Sequence, residues 1–186
     1  MAELFFLRHG QRIDHAQEKS ADAQPLLAEY EPYDPSLAKE AIPQIQAAAS
    51  SIVELLQSFS STSTTRKNVC IHFSPYLRCT QTADLLMTHL KTELSKKYPS
   101  SKPRFQLLGD FALSEWIHNH MNCKPPFVDS NDAYQMYTPH VQHMKNRMPC
   151  LNFRPTNLLG PFHGPELSYT DSHQRLTAYF HNPLPS

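Results

Sequence analysis

Asn68-Val69-Cys70-Ile71-His72-Phe73-Ser74-Pro75-Tyr76-Leu77-Arg78-Cys79-Thr80-Gln81-Thr82-Ala83 changes its periodicity partway along. Asn68 to Phe73 is a short, mostly apolar run of the kind that forms a buried strand. Ser74 suits a helix N-cap and Pro75 the first helical position. Leu77, Ala83, Leu86, Leu90 and Leu94 then supply one buried face of a helix. A strand running straight into a helix is the unit of layered α/β folds. It also places Arg78 in the first helical turn, where free N–H groups and the helix dipole favour an anion. An ordinary surface arginine fits the same position.

Toward the N-terminus, Leu4-Phe5-Phe6-Leu7-Arg8-His9-Gly10-Gln11-Arg12 predicts a second strand, short and fully buried, ending in a basic turn. Gly10 lets the backbone turn sharply or come close to a ligand. Two guanidiniums beside an imidazole fit an anion site with a nucleophile in it; a solvated basic turn at a strand end is the plainer alternative. Ile13 to Pro35, with Asp14, His15 and Tyr33-Asp34-Pro35, is expected to be a long loop over one end of the sheet. Leu37, Ala41, Ile45, Ala48, Ile52, Leu55 and Phe59 recur at helical steps, with Pro43 starting or kinking the helix. The Ser/Thr-rich stretch from Ser58 to Thr65 is expected to be a solvated connection.

Toward the C-terminus, Arg104 to Leu108 is a weaker strand, followed by Phe111-Ala112-Leu113-Ser114-Glu115-Trp116. A carboxyl flanked by apolar residues suits a proton donor, so Glu115 is a candidate general acid. A loop glutamate facing water is the other option. From Asn119 to Gly164 periodicity is lost, except for a possible helical stretch from Tyr134 to Met148, and an irregular cap over a site is expected there. His118, His120 and Cys123, and separately His140 and His143, lie close in sequence but lack the spacing of a metal site, so no metal and no cofactor are expected. Glu166 to Phe180, with Leu167, Leu176, Tyr179 and Phe180 as apolar anchors, predicts a last short helix.

At 186 residues one domain, 1–186, is expected. The 17 basic residues equal the 17 acidic ones, so no global field recruits nucleic acid or a membrane surface. With 16 prolines against 4 glycines, the connections should be long and stiff. No stretch has the length of an apolar membrane span. The start, Met1-Ala2-Glu3-Leu4, carries no basic n-region and no cleavage site, so secretion is not expected, and Cys70, Cys79, Cys123 and Cys150 form no CxxC pair. Free thiols in a cytoplasmic or nuclear compartment are therefore expected.

In order along the chain, these fragments resemble the histidine phosphatase superfamily, the phosphoglycerate mutase-like proteins. Arg8-His9-Gly10-Gln11-Arg12 resembles the RHGxR form of its signature. Ser74 to Ala83 is similar to its SPxxRxxQTA helix start, and Leu113-Ser114-Glu115-Trp116 to its acid motif. Gly164-Pro165-Glu166-Leu167-Ser168, with Arg175 downstream, loosely resembles its GES-type helix. The resemblance implies a three-layer α/β/α fold with a mostly parallel central sheet. It also implies phosphoryl transfer from a phosphomonoester through a phosphohistidine at His9. Arg8, Arg12 and Arg78 would bind the phosphoryl group and Glu115 would protonate the leaving oxygen, without metal. The substrate would be a phosphorylated small molecule or a phosphoprotein.

One departure stands out. The family's second catalytic histidine lies on a later strand, inside the sheet between the strands that carry His9 and Arg78. This sequence stops at Ser186 without it, so the sheet is expected to be incomplete at the C-terminus and the activity reduced or absent. Neither His163 nor His181 has the setting of that histidine. The alternative function is a catalytically weak, phosphatase-like module that binds a protein partner.

Overall fold

The computed structural model describes residues 3–28, 30, 34–56, 67–74, 76–100, 102–115, 151–154, 166 and 168–181. The chain is mixed α/β. Its elements run α1 (Ile13–Gln17), α2 (Ala41–Leu55), β1 (Asn68–Phe73), α3 (Leu77–Lys97), β2 (Arg104–Asp110), a 3₁₀ turn (Phe111–Leu113), β3 (Leu151–Arg154) and α4 (Tyr169–His181). The strands pair in the order β1-β2-β3. The Arg104 N–H donates to the Lys67 carbonyl at 2.8 Å, so β1 and β2 start side by side and run parallel. No helix among the described residues is long and apolar enough to cross a membrane.

By packing, the chain divides into two compact units, Met1–Ile71 with Leu77–Leu107, and His72–Tyr76 with Leu108–Ser186. In the first, α2 lies against α3. Ala41, Ile45, Ala49 and Val53 recur every four residues and so share one face of α2; they meet Leu86, Leu90 and Leu94 of α3 in one buried cluster. Val69 and Ile71 of β1 and Phe105 of β2 pack against that cluster. The expected helix around Ala41 therefore forms, with Pro43 in its first turn, where a missing N–H costs no helical bond. Leu37 lies before it, bridged antiparallel to Arg12.

Two N-terminal expectations are corrected. Leu4 to Leu7 is not a buried strand: the residues carry no sheet pairing and are 67, 38, 76 and 44 % exposed. A strand needs a neighbour for its backbone groups and a layer over its side chains, and the described sheet starts and ends without this segment. Nor is Ile13 to Pro35 all loop. Ile13 and Ala16, three residues apart, pack with Ala23 and Ala38, and this small core makes the first turn helical.

In the second unit, α4 packs on the 3₁₀ turn. Its buried residues are Ser172, Arg175 and Tyr179, while Phe180 is 51 % exposed. Of the apolar anchors expected here Tyr179 is buried, and Ser172 and Arg175 make the rest of the seam polar. The Tyr179 hydroxyl and His72 Nδ1 share a hydrogen bond of 2.5 Å. Within the irregular stretch expected from 119 to 164, the structure places β3; the helix expected from Tyr134 to Met148 lies outside the described residues.

Candidate functional site

The first turn of α3 is fixed from a distance. The expected cap at Ser74 is superseded, because the helix begins at Leu77 and Asp34 supplies the acceptor. The Leu77 N–H donates to Asp34 Oδ1 at 2.9 Å and to Oδ2 at 3.1 Å. A carboxylate at a helix N-terminus meets both the unpaired N–H groups and the dipole. The same carboxylate lies 3.7 Å from Arg78 Nη1, with both side chains 4 % exposed. Arg78 is therefore a buried member of an ion pair and not a surface arginine.

Two residues of the next turn, Gln81 and Thr82, bind other segments. Gln81 Oε1 accepts from the Leu37 N–H at 2.8 Å, and Gln81 Nε2 donates to Ser36 Oγ at 3.1 Å. Thr82 Oγ1 accepts from the Gly10 N–H at 3.1 Å and donates to the Arg78 carbonyl at 2.7 Å. These bonds fasten the 34–37 segment and the Arg8–Arg12 turn onto the start of α3. Gly10 is needed for closeness: a Cβ there would lie 2.7 Å from Ala41 Cβ and 3.2 Å from Ile45 Cδ1.

His9, half-buried, sits on this fastened turn. Its Nδ1 is 2.8 Å from the Gly10 carbonyl oxygen. A carbonyl only accepts, so Nδ1 carries the proton and the neutral ring keeps its lone pair on Nε2. Burial pushes the His9 pKa below its usual 6.5; the Gly10 bond opposes this, and the charges of Arg78, Arg8 and Arg12 add to it. Three guanidiniums thus act on one imidazole. Arg8 is exposed, Arg78 buried, and Arg12 is held in a forked ion pair by Asp14, its Nε donating to Oδ1 at 3.0 Å. Burial raises the Asp14 pKa, but the bonds from Arg12 outweigh it and hold this carboxyl below its ordinary range.

Glu115 belongs to the second unit and is exposed, where an apolar setting was expected. Its segment is gripped by Arg175, which donates through Nη1 to the carbonyls of Ala112 (2.5 Å) and Ser114 (2.9 Å), and through Nη2 to that of Glu115 (3.5 Å). Arg175 Nε and Nη2 also donate to Glu166 Oε1 and Oε2 at 2.6 and 3.2 Å. Glu166 and Arg175, loosely matched in the sequence, are here an ion pair with both side chains about nine-tenths buried.

The charges of Arg8, Arg12 and Arg78 thus all act on the His9 ring, while the Glu115 segment is anchored through a separate network. Asp34, Gln81 and Thr82 were missed as site residues. Helical spacing signals which face of α3 is buried, but not which polar side chains reach a loop some forty residues away in sequence. Among the described residues, no group of three or more His, Cys, Asp or Glu side chains is placed to hold a metal ion. The clusters His118, His120 and Cys123, and His140 and His143, lie outside them. Comparison with family models and with curated proteins returns no match for this chain.

Proposed function

We propose that this chain is a phosphoryl-transfer enzyme of the histidine phosphatase type, moving a phosphoryl group from a phosphomonoester to His9 and then to water. The observation that carries this is the His9 ring, fixed by Gly10 with its lone pair on Nε2 and kept unprotonated by burial and by three arginines. A nucleophile for phosphorus must be neutral and aimed, and cations around it offset the charge of the incoming anion. Nε2 forms the P–N bond as the ester P–O bond breaks, and the departing oxygen takes a proton, the part that the resemblance gives to Glu115. Water then attacks phosphorus, the P–N bond breaks, and a proton of that water returns to the acid as phosphate leaves. Arg8, Arg12 and Arg78 neutralise the non-bridging oxygens throughout.

The parallel pair β1–β2 with α2 and α3 against it supports, on this reading, a three-layer α/β/α fold of the phosphoglycerate mutase-like kind. The substrate is a phosphorylated small molecule or a phosphoprotein, in the cytoplasm or nucleus.

One observation favours a second function, a phosphatase-like binding module of low activity. Asp34 already holds a carboxylate against Arg78 and the α3 N-terminus, the place proposed for the substrate's anion. Hydrolysis of an aryl phosphate by the folded chain without added metal, with His9→Ala alongside, separates the two. Turnover lost in the variant supports the enzyme. A rise in melting temperature with phosphate or vanadate but no turnover supports the module.

A further inference from the structure

Gly10 separates two peptide units, and each is held by a side chain from a different helix of the first unit. On one side the Gly10 N–H donates to Thr82 Oγ1 of α3 at 3.1 Å, and that hydroxyl donates in turn to the Arg78 carbonyl at 2.7 Å. Bonding to the carbonyl four residues back commits the hydroxyl proton, so the oxygen faces Gly10 as an acceptor. Thr82 is 5 % exposed, which keeps water from competing for the bond. On the other side the Gln11 N–H donates to Gln44 Oε1 of α2 at 3.1 Å, and Gln44 Nε2 donates to Gln11 Oε1 at 3.3 Å. The Gln11 N–H and the Gly10 carbonyl belong to one planar peptide. Gln44 therefore also orients the carbonyl that meets His9 Nδ1 at 2.8 Å. Glycine has more backbone freedom than any other residue, so these bonds supply a restraint that its own chemistry does not.

We propose that Thr82 and Gln44 are positioning residues that hold the peptides on either side of Gly10 and thereby aim the Nε2 lone pair of His9 at phosphorus. The inference rests on the phosphatase function above and concerns its nucleophile alone. Lost positioning has a signature that general destabilisation lacks. The tautomer of a histidine is set by the bond that its other nitrogen makes. With its carbonyl partner held, His9 keeps the proton on Nδ1. With the peptides released, the ring shares that proton between Nδ1 and Nε2 and loses its fixed aim.

The test uses the full chain and compares Thr82→Val, Thr82→Ser and Gln44→Ala at a temperature where circular dichroism shows each folded. Nitrogen-15 NMR separates protonated from bare ring nitrogens, and the His9 signals, among those of 11 histidines, are the ones missing from His9→Ala. In the wild type the proton should sit on Nδ1. Thr82→Val keeps the side chain's shape and removes the hydroxyl, and it should move a measurable fraction of the proton to Nε2. It should also lower kcat on an aryl phosphate by on the order of 10²-fold, as misplacement by an ångström does, with KM nearly unchanged. Thr82→Ser should restore both readouts. Gln44→Ala, whose bonds face water, should shift both in the same direction by less, and it decides the matter if Thr82→Val does not fold. A folded Thr82→Val with the wild-type tautomer and kcat, its melting temperature alone lowered, overturns the inference and leaves the phosphatase function standing. A wild-type proton on Nε2 overturns it as well. Absence of turnover in the wild type fails the underlying function and takes the inference with it.

Discussion

At His9 the sign of the electrostatics decides what protonation does. Burial and the surrounding arginines hold its pKa below 6.5, whereas the unfolded chain titrates near that value. Between the two values the unfolded state holds more protons, so this group removes stability as the pH falls from 6.5 through the folded-state pKa. Above 6.5 the contribution vanishes. Thermal denaturation of wild type against His9→Gln over acidic pH should show the wild type losing stability faster, and equal slopes would contradict the assignment. The same depression favours the neutral His9 ring below its ordinary titration range, as the proposed nucleophile requires. The acid limb of kcat/KM should accordingly lie below pH 6.5, and an acid limb above it would mean that His9 is not the titrating nucleophile. His9→Ala should abolish hydrolysis with its circular dichroism unchanged, because this half-buried ring belongs to neither apolar cluster of the first unit.

The elements carry the site by contact rather than by regularity. Gly10→Ala drives a methyl against Ala41 on the backbone-fixed start of α2, with little room to yield. Overpacking of this kind costs about 1–3 kcal/mol, read as a lower urea midpoint, and an unchanged midpoint would mean that the turn does not pack on α2. Asp34→Ala removes one partner of a buried pair and the acceptor for Leu77 N–H, a loss on the order of 3 kcal/mol, whereas Asp34→Asn keeps an acceptor and should lose less. Equal losses would assign the effect to the charge alone. The helices α2 and α3 were legible in the sequence because Ala41, Ile45, Leu86 and Leu90 recur at helical steps, and repetition averages out single errors. The run Leu4 to Leu7 misled for a physical reason. Apolar composition states a preference for burial, while a strand exists only where another strand offers its edge. The polar seam of α4 was hidden likewise, since Arg175 resembles a surface residue until three carbonyls are seen around it. That the charges of Arg8 and Arg12 act on His9 follows from their nearness in sequence, whereas the reach of Arg78 to that ring comes only with the folded start of α3.

For the whole molecule, the buried cluster between α2 and α3 carries stability that the exposed N-terminal run does not. Leu90→Ala hollows the cluster between α2 and α3 and should cost about 2–5 kcal/mol. Leu4→Ser, at 67 % exposure, should stay within about 0.5 kcal/mol, and a core-sized loss there would mean that the N-terminal segment is buried after all. The proposed chemistry bonds phosphorus to His9 during turnover. Rapid quenching of the wild type with an aryl phosphate under alkaline conditions, which preserve phosphohistidine, followed by mass spectrometry of the His9 peptide, tests it directly. The phosphoryl group is expected on His9 and absent in the His9→Ala chain. A phosphoryl group on another residue, or none on His9 in a chain that hydrolyses the ester, would contradict it.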